Sequence, residues 1–133
     1  YRNIGNWTYG LTSTYDYDKS ITLSTELFDT SKRIWKGSEQ ITLENVTYHE
    51  LGHFVAWITD RSDLTNKMQQ LKKEEDKRHT ENAAEYFADS YMRWVLNRNQ
   101  LKKEQPRTYQ YIKVSGSKRT VRALCKPDRY EIQ

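Results

Sequence analysis

Residues 49–53 read His-Glu-Leu-Gly-His. On a helix, side chains four positions apart lie one turn apart on the same face, so the imidazoles of His49 and His53 can address a single ion. Glu50, beside His49, reaches the same side without having to bind the metal. Imidazole nitrogen and carboxylate oxygen are usual donors to Zn2+, and a catalytic zinc keeps three protein ligands and one open position for water. Such an ion lowers the pKa of its water to about 7 and polarises a substrate carbonyl, while a nearby carboxylate takes the water's proton. The spacing therefore fits a hydrolytic site with one zinc per chain, His49 and His53 as ligands and Glu50 as general base. Two of the three histidines in the chain are used in this pattern, so a helix carrying two unrelated histidines is the weaker reading. Gly52 agrees with the stronger one. A glycine inside a helix costs about 1 kcal/mol, and the close approach of another backbone would give it a reason.

A third ligand must come from elsewhere. His79 is the remaining histidine, and the downstream acids include Glu74, Glu75, Asp76, Glu81, Glu85 and Asp89. Most of these stand in charged stretches that read as solvated surface. Glu85 differs, because its run Asn82-Ala83-Ala84-Glu85-Tyr86-Phe87-Ala88-Asp89 has small and aromatic neighbours and reads as a packed helix. Glu85 and Asp89 share one face of it, outside the apolar stripe. Two acids on a mostly buried helix need a partner, and a zinc with its histidines would be one. Glu85 is thus expected to bind the metal and Asp89 to accept a ring N–H from His49, against the plainer reading of Asp89 as a surface carboxylate.

The elements that must hold these residues follow from periodicity. Trp7–Tyr15 and Ser20–Leu27 are rich in Thr, Tyr, Ile and Leu around a turn-like Asp16-Tyr17-Asp18-Lys19, which predicts an antiparallel pair. A third extended piece is expected over Glu39–Leu43. From Thr42 onward the period becomes helical, with Thr47/Tyr48, Leu51, Phe54/Val55 and Ile58 as the buried stripe and Thr42 or Asn45 as cap. A second helix is expected from Ser62 or Asp63 to about Lys77, with Leu64, Met68 and Leu71 on one face and charge on the others. Thr80 can cap a third, over 81–98, with Ala84, Phe87/Ala88, Tyr91 and Trp94/Val95 inward. Pro106 suits the first turn of a fourth, ending near Val114 before Ser115-Gly116-Ser117. The stretch from Thr120 to Gln133 is ambiguous. Strands first and helices afterwards predict an α+β fold.

Length and composition set the outer limits. The 133 residues suffice for one domain with a real core and are too few for two, so residues 1–133 are expected to form a single catalytic domain. The first residue is Tyr1 rather than Met, so the chain is expected to be a processed or excised piece of a longer product. No apolar run reaches membrane-spanning length. The net charge of +4 is spread over 22 basic and 18 acidic residues with no nucleic-acid motif, so a solvated surface is expected rather than nucleic-acid binding. Cys125 is alone, so no intrachain disulfide can form.

The His-Glu-Leu-Gly-His run, followed 32 residues after His53 by the glutamate of Asn-Ala-Ala-Glu-Tyr-Phe-Ala-Asp, resembles the lethal-factor-like zinc metallopeptidases, among them the catalytic domain of anthrax lethal factor and the clostridial Pro-Pro endopeptidases. Gln105-Pro106-Arg107-Thr108-Tyr109-Gln110-Tyr111-Ile112 is similar to the start of that family's C-terminal helix, and the likeness spans about residues 42–113. It implies a zincin-like fold, a secreted bacterial zinc endopeptidase and a protein or peptide substrate laid antiparallel along an edge strand, here Thr8–Tyr15. It maps His49, His53 and Glu85 onto the zinc ligands, Glu50 onto the general base and Asp89 onto an acid supporting a ligand. One departure stands out: where the family has a tyrosine seven residues before the glutamate, able to support the oxyanion, this chain has Arg78. Arg78 or His79 would then stabilise the transition state, a tyrosine would arrive from elsewhere, or turnover would be slow. The alternative to an active enzyme is a protease-fold module that only binds a protein partner.

Overall fold

The computed structural model describes residues 9–15, 18–31, 33–36, 39–59, 62–77 and 82–116. Arg78, His79, Thr80, Cys125 and the stretch from 120 to 133 lie outside them.

Strand β1 (Gly10–Tyr15) pairs antiparallel with β2 (Asp18–Leu23), from Gly10 opposite Leu23 to Tyr15 opposite Asp18. The expected pair is present, but its second strand is shorter than the predicted reach to Leu27. The Ser24 backbone N–H closes the ladder on the Tyr9 carbonyl at 2.8 Å, and the Ser24 hydroxyl accepts from the Glu26 N–H. That local bond turns residues Thr25–Phe28 into a 3-10 turn, with Leu27 buried. A second hairpin, β3 (Ile34–Lys36) with β4 (Glu39–Ile41), contains the expected third extended piece together with a strand too short to show any alternation.

Helix α1 (Leu43–Thr59) begins where expected, with Thr42 Oγ1 accepting the Asn45 N–H at 3.1 Å. Asn45 is not the cap; its amide donates to the Gln40 carbonyl and ties α1 to the end of β4. The predicted stripe is half-buried apart from Val55, which is buried, and the most enclosed positions include Glu50 and Gly52. The cause is that α1 is covered from two directions, by β1 and by α3 (Ala83–Leu96), whereas a single stripe describes one interface.

The crossing of α1 and α3 is set at Gly52. A Cβ there would lie 2.8 Å from Ala88 Cα and 3.0 Å from Ala88 O, which is the close backbone approach expected of this glycine. Gly52→Ala gains roughly 1 kcal/mol in helix propensity but must push two backbones apart, an overpacking cost of about 1–3 kcal/mol. Backbone atoms cannot rotate away, so the clash wins. The variant is expected to melt below wild type, and a raised melting midpoint would refute the packing argument.

Helix α3 starts at Ala83 under an Asn82 cap, whose Oδ1 accepts the Glu85 N–H at 2.9 Å. The expected start at 81 is thus replaced by 83, and the inward face is broader than expected. Phe87 and Ala88 are buried and Tyr91 and Trp94 pack on the core as read, Ala83, Tyr86, Ser90 and Met92 are buried as well, and Ala84 alone of the expected positions is exposed. Helices α2 (Leu64–Glu75) and α5 (Pro106–Gly116) join α1 and α3 around one core that includes Met68, Leu71, Tyr86, Phe87 and Ile112. Asn97 leaves helical geometry, at φ −147° and ψ 55°, and separates α3 from a short α4 (Arg98–Glu104) that was not anticipated. Pro106 disfavours the α region for Gln105 and so splits α4 from α5. The freed N–H groups of Arg107 and Thr108 donate to Glu75, at 3.0 and 2.6 Å, which makes a residue expected at the surface the cap of α5. Hairpins followed by helices give the α+β layout read from the sequence. Among the described residues no helix is long and apolar enough to cross a membrane.

Candidate metal centre

Successive turns of α1 present the His49 and His53 rings edge to face, with centroids 4.9 Å apart. The Glu85 carboxylate, reaching across from the first turn of α3, lies between them. Its Oε2 is 2.9 Å from His49 Nε2 and its Oε1 is 3.1 Å from His53 Nε2. One turn further along α3, Asp89 Oδ1 sits 2.6 Å from His49 Nδ1. Donor atoms of His49, Glu50 and His53 fall within 4.8 Å of one another, a grouping able to hold a metal ion. Two imidazole nitrogens and a carboxylate held within hydrogen-bond distance form a donor set that suits zinc.

The electrostatics follow from these contacts. Burial by itself disfavours a charged His49, but the hydrogen bonds to Asp89 and Glu85 and the charges of both acids outweigh it and raise its pKa from 6.5 to about 10. Hydrogen bonds from His49 and His53 hold the Glu85 carboxyl well below the usual carboxylate range, against a smaller opposing effect of burial. The metal-free cluster is therefore an imidazolium clasped by two carboxylates. A raised pKa stabilises the fold fully below the unfolded value of 6.5 and loses that contribution as the pH rises through about 10. A lowered one acts above 4.5 and is lost in acid. The two shifts describe one shared interaction. Metal-free protein is thus expected to melt at a lower temperature at pH 10 than at pH 6.5, and a midpoint that is flat or rising over that range would contradict the clasp. Because a metal needs the deprotonated imidazole, binding in this window should also release a proton.

Glu50 is 6% exposed. Its Oε2 accepts from the Thr12 hydroxyl of β1 at 2.5 Å, and its Cγ would lie 2.8 Å from a Cβ placed on Gly10. Since the Ser24 N–H bonds to the Tyr9 carbonyl, the antiparallel alternation turns the backbone groups of Tyr9, Leu11 and Ser13 toward β2 and those of Gly10 and Thr12 toward the opposite edge. A cleft of about 450 Å³ runs between this strand and the helices, with Gly10, Leu11 and Thr12 on one side and Glu50, His53, Trp57 and Glu85 on the other.

Five residues singled out by sequence, His49, Glu50, His53, Glu85 and Asp89, are thereby brought together, while His79 lies outside the described residues. Sequence reading missed Gly10 and Thr12 as neighbours of Glu50. The one available signal was a glycine within a strand pattern, which can mark a close approach.

The family model described as "Anthrax toxin lethal factor, N- and C-terminal domain" matches residues 15–115. No curated protein and no solved structure matches the chain significantly. The matched span holds all five grouped residues and leaves out Gly10 and Thr12.

Proposed function

Because this chain belongs to the anthrax toxin lethal factor family, we propose that it is a zinc-dependent endopeptidase of zincin-like fold, acting as one catalytic domain over residues 1–133 on a protein or peptide outside the cell. The observation that carries this reading is the Glu85 carboxylate, 2.9 and 3.1 Å from the Nε2 atoms of His49 and His53. In it His49, His53 and Glu85 hold the metal. Zinc, when bound, supplies a Lewis acid for the peptide carbonyl and a water acidic enough to deprotonate near neutral pH. Glu50 takes that proton and returns it to the leaving amine. Asp89 fixes the ring of His49 through Nδ1, which leaves Nε2 as the nitrogen that would bind the metal. The edge of β1, bordering the cleft, offers backbone groups to an extended peptide. His79 is kept as the candidate transition-state stabiliser, next to Arg78, which stands where the family has its tyrosine.

The deciding experiment is a peptide library incubated with the zinc-loaded protein. Cleavage that a chelator abolishes and zinc restores supports the reading. Stoichiometric zinc with no cleaved sequence would favour the binding module instead, and no stoichiometric zinc would end both the metal assignment and the enzyme.

A further inference from the structure

Strand β1 does more than border the cleft, since it grips the general base at both ends of its side chain. Gly10 and Thr12, two positions apart, point to the same face of the strand, and that face lies on Glu50. At the stem, Glu50 Cγ approaches Gly10 so closely that a Cβ there would be 2.8 Å away, with Val46 Cγ1 at 2.6 Å closing the other side. At the tip, Thr12 Oγ1 stands 2.5 Å from Glu50 Oε2 and 2.9 Å from the Glu50 carbonyl oxygen. The hydroxyl has one proton to give. The shorter distance, to the carboxylate, assigns the proton there as a charge-assisted bond.

We propose that Thr12 is a positioning residue for Glu50, holding Oε2 so that Oε1 is the oxygen left to take the proton during hydrolysis. The proposal rests on the endopeptidase reading and adds to it a residue outside the matched family span. Glu50 is enclosed at 6% exposure, yet a glutamate has three rotatable bonds. Packing at Cγ alone leaves the carboxylate free to turn about the last of them, and a hydrogen bond to one oxygen removes that freedom. Reacting groups lose rate steeply when misplaced by about 1 Å, so the expected effect falls on the chemical step. The same residue turns its backbone toward the strand edge. Thr12 therefore joins the site of peptide docking to the group that takes the proton, and a peptide seated on β1 meets a base already oriented.

The test is Thr12→Val, which exchanges the hydroxyl for a methyl of nearly equal size. Using a peptide found in the library, kcat is expected to fall about tenfold while KM stays within about twofold and zinc content is unchanged. Thr12→Ser should restore most of the loss, because the hydroxyl returns without the methyl. In a Glu50→Gln background Thr12→Val should cost nothing further, since the group it positions no longer takes a proton. A readout independent of activity is the melting of metal-free protein, where the losses from Thr12→Val and Glu50→Ala should fail to add. Wild-type turnover in Thr12→Val overturns the proposal, as does a rise in KM alone or a loss that serine does not restore. Wild-type protein that cleaves no peptide refutes the endopeptidase reading and this proposal with it, whereas an active wild type with an indifferent Thr12→Val refutes this proposal alone.

Discussion

Glu50→Gln is expected to keep zinc and fold while losing peptide hydrolysis by roughly 10²-fold or more. The substitution is close to isosteric, which matters at a side chain only 6% exposed. The amide oxygen can still accept from the Thr12 hydroxyl, so the contact at 2.5 Å has a successor. Burying a neutral amide in place of a carboxylate adds no charge penalty. What the amide cannot do is take a proton. Turnover and stability should therefore separate, with a melting midpoint near wild type and a rate near background. Near-normal turnover in this variant would show that another residue takes the proton.

The second large effect concerns the third ligand. Glu85→Ala should lower zinc affinity by more than about 100-fold, because even partners one step removed from a metal cost 10–100-fold when lost and two histidines alone hold zinc poorly. In metal-free protein the same change strips the bridge between His49 and His53, so some stability should go with it. His79→Ala should leave zinc content intact and slow turnover by at most about 10², the size of one oxyanion donor. Asp89→Asn belongs between them, weakening the metal through His49 by roughly 10–100-fold. Equilibrium zinc competition on the three variants ranks them directly. Zinc lost from the His79 variant and kept in the Glu85 variant would mean a site of three histidines, and the family comparison would have misassigned the glutamate.

The helical half of this site was legible because its information is local. An i, i+4 pair of histidines on a periodic helix dictates its own geometry, and the second pair, Glu85 and Asp89, repeats that spacing on a helix whose small and aromatic neighbours announce packing. The strand half was not legible. That Thr12 meets Glu50 depends on which face of β1 lies on α1, a contact across 38 positions that neither residue's neighbours encode. Helix ends fell in between. Thr42 was readable as a cap, but Asn82 replaced the expected start because its side chain satisfies the Glu85 N–H directly. Asn97, with non-helical dihedrals, divided a region in which α4 went unread. Glu75 looked like one more surface charge in a run of them, and only the fold shows it closing the first turn of α5.

The two halves also differ in how firmly they are held. The three proposed metal ligands sit on α1 and α3, pressed together at Gly52 and Ala88 and backed by the core. The proposed base, Glu50, is held by a two-stranded hairpin, a unit that is marginal on its own and owes its order to the helix beneath it. Regions of that kind open locally well before the whole chain unfolds. Moderate warming would thus release the grip on Glu50 while His49, His53 and Glu85 keep their places. On the proposed reading the protein would pass through an idle form, its three candidate ligands still together, from which cooling restores the oriented base.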